Sequence, residues 1–480
     1  MVLGQKRLSG KAGQSRIAHA GGLYSASMKL RTLWFTILLF CACLFCNSMF
    51  STGLFALDRQ TGADYRARRV ALSKTLKGGV AVLFAATESE GPNALYGFRQ
   101  DNDFFYLTGW TEPGAAVVIA PAVEAKGDAP GRPYAEVLLL PAHNLSQEKW
   151  TGPKLGPEDP LAAGMTGFDR VASLEQMHDV LLRIVPQTGV VIYSEMAEAP
   201  ETTASTAPLE WLKRSNVFPV RVSYEGIAEK IAELRKHKDA GEIERIRHAT
   251  QASIAGQRAA MQAMRPGMFE YQIAALMQYK FQDGGCERPA YAPIVGSGFY
   301  STVLHYSENS HQIHDGDVVV MDVAGEYAMY ASDITRTLPA NGHYTARQRE
   351  IYNVVLGAQQ AVMQAVVAGK STLSGRGPDS LYQVAYDYID SHGKDLHGET
   401  LGKYFIHGLG HRVGLEVHDV GTGPVDKGDV FTVEPGVYIP EEKIGVRIED
   451  IVMLDENGKL VNLTAELPHT AEDVEAAMHR

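Results

Sequence analysis

Two segments in the C-terminal half of the chain pair carboxylates in a way that could bind metal ions. Asp322 and Asp333 lie in runs rich in β-branched residues, 317–324 and 327–338, which predict an antiparallel hairpin. The two acids are symmetric about the turn, so their Cβ atoms would lie opposite each other at about 5 Å. Like charges in such a position destabilise a strand pair unless a cation lies between them. The pattern therefore indicates a cation site.

A second hairpin repeats this arrangement. Residues 431–439 and 445–454 are the predicted strands, and Glu434 and Glu449 are symmetric about the turn between them. Pro435 follows the first acid directly and interrupts its strand, so we expect a bulge there. Four carboxylates on two hairpins predict an oxygen-rich site for metal ions.

Three histidines lie close together between the two hairpins, at His407, His411 and His418. The first two have the four-residue spacing of helical zinc sites, but the glycines among them argue against a helix. We expect a glycine-rich loop that runs into a strand. For any one of these histidines, a packing role with an ordinary hydrogen bond stays open. One imidazole together with four carboxylates suits Mn, Co or Fe(II) better than a structural zinc site.

The elements that must position these residues form two regions. The chain has 480 residues, which is enough for two or three domains. Short Val- and Leu-rich strands alternate with helices up to about residue 225, which predicts an α/β domain over 57–225. Long helices at 239–264 and 345–367 alternate with strand pairs further on, which predicts an α+β domain over 226–480.

Residues 1–56 are expected to be a leader. An apolar stretch of fourteen residues, Leu33 to Cys46, follows the basic residues Lys29 and Arg31. Its length fits the apolar region of a secretory signal and is short for a membrane span. We expect an exported protein, periplasmic or membrane-anchored, whose mature form begins near Leu57. An uncleaved anchor and a cytoplasmic location remain the alternatives, and N-terminal sequencing of the native protein distinguishes them.

Charge and cysteine content exclude several classes of function. The net charge of −11 repels phosphate backbones, so nucleic acid is not an expected partner. Apolar residues make up 45% of the chain and charged residues 21%, the balance of a folded protein. Cys286 is the only cysteine outside the apolar stretch, so an internal disulfide or a cysteine-based zinc cluster is excluded there.

The metal-site residues together resemble the dinuclear site of the pita-bread metallopeptidases. This family includes methionine aminopeptidase, Xaa-Pro aminopeptidase (aminopeptidase P), Xaa-Pro dipeptidase (prolidase) and creatinase. The matching segments are Asp322 with Asp333, His411, Glu434-Pro435-Gly436 and Arg447-Ile448-Glu449-Asp450. The segments around His305, His407 and His418, and residues 98–110, are similar to aminopeptidase P in particular. The resemblance implies an α/β N-terminal domain followed by an α+β pita-bread (creatinase/methionine aminopeptidase-like) catalytic domain.

The resemblance also assigns roles to individual residues. Asp322 would chelate one divalent ion, Asp333 and Glu449 would bridge two, and His411 and Glu434 would hold the second. Two Mn(II) ions are the expected cofactors. Glu434 would accept the proton of the attacking water. His305 and His418 would bind the substrate and the developing oxyanion. The resemblance places three further residues along the same pocket: His407, Tyr438 and Arg447.

The implied substrates are peptides with proline in the second position. In the family, a tryptophan and an acid from a neighbouring subunit complete the proline site, and Trp150 and Asp103 are the closest matches here. The resemblance therefore implies a homo-oligomer, a dimer or a tetramer. Prolidase activity, restricted to Xaa-Pro dipeptides, is the alternative within the enzymes. A catalytically dead peptide-binding module is the alternative outside them, and retention of all five ligands argues against it.

Overall fold

The computed structural model describes residues 60–87, 96–125, 131–185, 189–196, 206–214 and 221–479. The predicted leader lies outside these ranges, so export stays a prediction. Within them, no helix combines the length and the apolar character that a membrane crossing requires.

The helices and strands of the described ranges are numbered separately in chain order. The helices are α1 Gly62–Thr75, α2 Asn102–Thr108, α3 Glu148–Thr151, α4 Ala162–Thr166, α5 Met177–Ile184, α6 Thr206–Lys213, α7 Ala228–Lys236, α8 Ala240–Ala263, α9 Glu270–Asp283, α10 Ala346–Ala365, α11 Leu381–His392 and α12 Ala471–Met478. The strands are β1 Val80–Phe84, β2 Ala116–Ala120, β3 Ala135–Leu140, β4 Arg170–Ser173, β5 Val190–Ser194, β6 Val222–Gly226, β7 Arg288–Pro289, β8 Ile294–Ser297, β9 Val318–Asp322, β10 Gly325–Tyr327, β11 Tyr330–Ala331, β12 Thr335–Pro339, β13 Val430–Val433, β14 Gly436–Ile439, β15 Ile444–Arg447, β16 Asp450–Leu454 and β17 Leu460–Asn462.

The first six strands form one mixed sheet in the order β4-β3-β2-β1-β5-β6. Strand β1 pairs antiparallel with β2 and parallel with β5. Its alternate residues enter two different cores: Ala81 and Leu83 pack in one, and Val80 and Val82 in the other. Burial on both faces explains why these strands read as nearly continuous apolar runs in the sequence.

The remaining strands form four small sheets that carry the two predicted hairpins. Each hairpin is held by a buried glutamine from a long helix. Gln257 of α8 donates to the carbonyl oxygens of Val323 and Ile334, at 3.4 and 3.1 Å. Gln359 of α10 donates to those of Val433 and Ile448, both at 3.1 Å. These carbonyls lie where the strands are interrupted, so the glutamines supply donors at the points where the regular ladders stop.

The predicted register of the first hairpin is wrong by two positions. Asp322 pairs with Thr335, and Asp333 lies in the interruption before β12. The turn lies at Ala328 and Met329, both with positive φ, whereas Gly325 belongs to β10. Two-residue hairpin turns need positive φ, which usually appears in a sequence as glycine or asparagine. Without that signal, the sequence predicts the turn too early in the chain.

The register of the second hairpin is confirmed. Val433 pairs with Asp450 before the interruption, and Gly436 pairs with Arg447 after it. The expected bulge at Pro435 is absent, because both strands are interrupted together and by the same number of residues. Glu434 and Glu449 therefore occupy matching places in the two strands.

Candidate metal centre

The two hairpins and the segment 407–418 enclose a cavity of about 540 Å³. Nine predicted site residues line it: His305, Asp322, Asp333, His407, His411, His418, Glu434, Arg447 and Glu449. Tyr438 lies directly behind them, with its hydroxyl on His407 and Arg447. The fold therefore brings together residues that are up to 144 positions apart in the chain.

A compact donor set lies at one end of this cavity. Ligand atoms of Asp333, His411 and Glu449 lie within 4.8 Å of one another. His411 Nε2 is 3.3 Å from Asp333 Oδ2 and 3.4 Å from Glu434 Oε1. The other ring nitrogen, Nδ1, lies 3.1 Å from the carbonyl oxygen of Arg412, so it is the one that carries the proton. The Nε2 lone pair is thus directed at the carboxylates, as in metal-ligating histidines.

The acids of this donor set are buried close to one another, and a bound cation would stabilise them. Burial raises the pKa of Asp333, of Glu434 and of Glu449 well above the ordinary value, and the neighbouring carboxylates raise it further. Asp322 Oδ1 and Glu449 Oε1 are buried and accept no hydrogen bond from the described residues. Buried unpaired oxygens are costly, and a cation would satisfy them. The donor set fits divalent ions that prefer oxygen with one imidazole nitrogen.

A chain of hydrogen bonds supports the opposite wall of the cavity. The buried Arg447 donates to Asp322 Oδ2 at 2.7 Å and to the Tyr438 hydroxyl at 2.8 Å. That hydroxyl lies 2.9 Å from His407 Nε2. Burial, with the nearby charge of Arg447, lowers the pKa of His407 to about 4, so its ring is neutral at pH 7. Burial raises the pKa of Tyr438 to about 12. The guanidinium of Arg447 therefore fixes two uncharged rings, that of His407 at the cavity and that of Tyr438 behind it.

His305 and His418 lie on the open side of the cavity. The His418 ring is 4.0 Å from that of His411, and burial together with the neighbouring imidazoles lowers the pKa of His418. The loop that carries His305 is anchored below by the buried Glu270. This carboxylate accepts hydrogen bonds from the Tyr306 hydroxyl at 2.8 Å and from the His311 backbone N–H at 2.9 Å. Both imidazoles are therefore placed where they could contact a substrate.

Two residues that contact the acids were missed by the sequence analysis. The Tyr291 hydroxyl donates to Asp333 Oδ1 at 2.5 Å, and the Thr335 hydroxyl donates to Glu449 Oε2 at 2.7 Å. Both bonds fix the orientation of the carboxylates, as hydrogen bonds to metal ligands do. Thr335 becomes visible only once the correct register is known, and Tyr291 has no spacing signal in the sequence.

Trp150 and Asp103 are not among the residues that line the cavity of this chain. Trp150 lies on the short helix α3 and is 90% exposed. Asp103, near the start of α2, accepts a hydrogen bond from Arg235 at 2.7 Å. Their predicted role concerns the site of a neighbouring subunit, so for both residues it stays a prediction.

Comparison with known proteins places both regions of the chain in families. Residues 244–456 match metallopeptidase family M24, and residues 65–193 match the N-terminal domain of aminopeptidase P. The chain is 33% identical over 438 residues to the Xaa-Pro aminopeptidase of Escherichia coli (strain K12), covering 86% of this chain and 97% of that protein. It is 29% identical to the human Xaa-Pro dipeptidase, covering 88% and 93%. The solved structure of E. coli aminopeptidase P with the inhibitor Pro-Leu superposes with a TM-score of 0.76 at 30% identity, covering 88% and 99%. These matches confirm the predicted two-domain pita-bread fold.

Proposed function

The chain belongs to metallopeptidase family M24, and we propose that it is an aminopeptidase that releases the N-terminal residue from peptides with proline in the second position. The observation that carries the proposal is the cluster of Asp333, His411 and Glu449 at the end of a peptide-sized cavity. Identity to the Xaa-Pro aminopeptidase is higher than to the dipeptidase, which favours the aminopeptidase over the prolidase alternative.

The ligand set would hold two divalent ions, for which we propose Mn(II). Asp322, Asp333, His411, Glu434 and Glu449 are the residues that would bind them. When bound, such ions lower the pKa of water and polarise the carbonyl group that is attacked. The buried oxygens of Asp322 and Glu449 that accept no hydrogen bond support this assignment. The preference for Mn(II) rests on the four carboxylates, which suit a hard ion.

The chain's own side chains would handle the proton and the oxyanion. Glu434 Oε1 lies 3.4 Å from His411 Nε2, at the edge of the donor set, where it could accept a proton from water and pass it to the departing amine. His305 and His418 line the open side of the cavity, where they would donate to the oxygen of the attacked carbonyl. The neutral ring of His407, supported from behind by Tyr438, offers a surface against which a proline ring can lie.

The decisive experiment compares substrates and metals together. Purified protein treated with a chelator should lose hydrolysis of an Xaa-Pro-Xaa tripeptide, and added Mn(II) should restore it with two ions bound per chain. The physical reason is that both the nucleophile and the carbonyl depend on the ions. An Xaa-Ala-Xaa tripeptide is the matched control and should be cleaved at least about tenfold more slowly, the factor that 1.4 kcal/mol provides.

Two outcomes of this experiment contradict the proposal. Full activity with a single zinc ion per chain would exclude the dinuclear centre. Hydrolysis of Xaa-Pro dipeptides with none of Xaa-Pro-Xaa tripeptides would identify a prolidase instead.

We also propose a homo-oligomer in which Trp150 and Asp103 approach the cavity of a neighbouring subunit. The 90% exposure of Trp150 supports this, because a large aromatic side chain left in water is a common interface anchor. Trp150→Ala should lower kcat/KM for Xaa-Pro-Xaa peptides by about tenfold, the size of a moderate interface contact. Metal content and Tm should not change, and Leu161→Ala, at a site 71% exposed, is the control. A fully active monomer in solution would contradict the proposal.

A further inference from the structure

The segment 414–419, which carries His418, is held by contacts from the N-terminal region. Arg99 Nη2 donates to the carbonyl oxygen of Leu415 at 2.7 Å. Asn102 Nδ2 donates to Glu416 Oε1, also at 2.7 Å. Between these two contacts and His418 lies Val417, which lines the cavity as His418 does. Arg99 and Asn102 therefore hold residues 415 and 416 by hydrogen bonds, within three residues of the His418 imidazole.

The side chains of Arg99 and Asn102 are themselves held in place by hydrogen bonds. The Arg99 Nε atom lies 2.9 and 3.0 Å from the two carboxylate oxygens of the buried Glu326. Arg99 Nη1 donates to Asn102 Oδ1 at 2.8 Å. Because the Asn102 oxygen accepts from the guanidinium, its amide nitrogen must point the other way, toward Glu416. A planar guanidinium held by three partners is well suited to fix the geometry of a loop.

A third contact reaches the other end of the same segment. Arg235 of α7 donates to Asp103 at 2.7 Å and to Asp419 at 2.5 Å. Lys238 also donates to Asp419, at 2.8 Å. Asp419 directly follows His418 in the chain. Residues 99, 102 and 103 are thus linked by hydrogen bonds, the last through Arg235, to the chain on both sides of His418. This stretch of the N-terminal region therefore supports one wall of the cavity.

The segment itself has little regular structure to hold it in place. Residues 414–419 belong to no helix or strand. The Gly414 N–H donates to the carbonyl oxygen of Glu416 and the Asp419 N–H donates to that of Arg412, both within the loop. A loop with so few ladder hydrogen bonds opens locally at low cost unless side chains from elsewhere hold it.

We propose that Arg99 and Asn102 are positioning residues that fix His418 for its contact with the substrate. The inference rests on the proposed function, because that function gives His418 its role. Neither residue touches the cavity, and both act through the backbone and side chain of residues 415 and 416. Their loss should therefore lower kcat, through a displaced imidazole, more than it raises KM.

The test uses Asn102→Ala in the metal-loaded full chain, with Tyr96→Phe as the matched control. Tyr96 donates a comparable hydrogen bond across the same two regions, to Gln278 at 3.0 Å, but does not reach the 414–419 segment. For Asn102→Ala we expect kcat about tenfold lower with KM within about twofold, since displacement of a reacting group by an ångström is costly. The control should keep the parent kcat.

Two further measurements separate positioning from general stability. Hydrogen exchange of peptides covering residues 412–420 should be faster in Asn102→Ala than in the parent, and unchanged in Tyr96→Phe. Glu416→Ala, which also removes the 3.5 Å ion pair with Arg235, should lower kcat by at least a similar factor. The double variant Asn102→Ala/Glu416→Ala should be no worse than Glu416→Ala alone, because the Asn102 amide acts on the segment through Glu416.

Different results overturn different claims. If exchange at 412–420 does not change in Asn102→Ala, or if the two single effects on kcat multiply in the double variant, the positioning role is wrong. If the parent protein does not cleave Xaa-Pro-Xaa peptides, the proposed function fails, while the exchange measurement still decides whether these residues hold the loop.

Discussion

Asp333→Ala is expected to abolish peptide hydrolysis while the protein stays folded. Asp333 lies within reach of His411 and Glu449 in the donor set, and it is one of the residues that would hold the proposed ions. Substitutions that only support a metal ligand already cost 10–100-fold, so loss of a shared ligand should lower kcat/KM by more than about 100-fold. Metal analysis should show less than two ions per chain.

The fold should survive this change for an electrostatic reason. Asp333 is buried beside other acids, and burial together with Asp322 raises its pKa well above the ordinary value. Removing one of several repelling acids relieves a cost in the metal-free protein. We therefore expect the Tm of metal-free Asp333→Ala to equal or exceed that of the metal-free parent. Asp315→Ala, which removes an exposed acid just before β9, is the control for activity. Parent-like hydrolysis by a folded Asp333→Ala protein would refute the assignment.

The clustering of the acids could be predicted from the sequence because its signal is local. Acids within β-branched strands are unusual, and two such hairpins in one region point to a shared cause. The second hairpin was placed in its correct register because its two strands are interrupted symmetrically, at Glu434 and at Glu449. The first was not, because Ala328 and Met329 adopt positive φ without the glycine that normally marks such a turn.

The supporting contacts could not be predicted because they depend on tertiary structure. Gln257 and Gln359 lie in long helices, and nothing in a helical pattern shows that a glutamine reaches strand carbonyls more than seventy residues away. The same holds for Tyr291, which meets Asp333 only after the chain has folded. Arg99 was part of a segment similar to aminopeptidase P, but its contact with Leu415 spans 316 residues of sequence.

Glu434→Gln should separate the proton-transfer role of this residue from its role as a ligand. Gln keeps the size of the side chain and one oxygen that can face an ion, but it cannot accept a proton at neutral pH. Loss of a general base typically costs 10²–10⁴-fold, so we expect kcat to fall by about 10³-fold. Glu441→Gln, in the exposed turn of the same hairpin, should leave kcat unchanged.

Metal content decides how this result is interpreted. The cluster of Asp333, His411 and Glu449 remains in Glu434→Gln, so most of the metal should stay bound, in contrast to Asp333→Ala. Activity that falls about 10³-fold with two ions still present would assign the proton transfer to Glu434, because the ions alone would then be insufficient. Activity that falls only in proportion to lost metal, and returns with excess Mn(II), would show that Glu434 is a ligand and no more. The base would then have to be sought among the histidines on the open side of the cavity, with His418 as the first candidate.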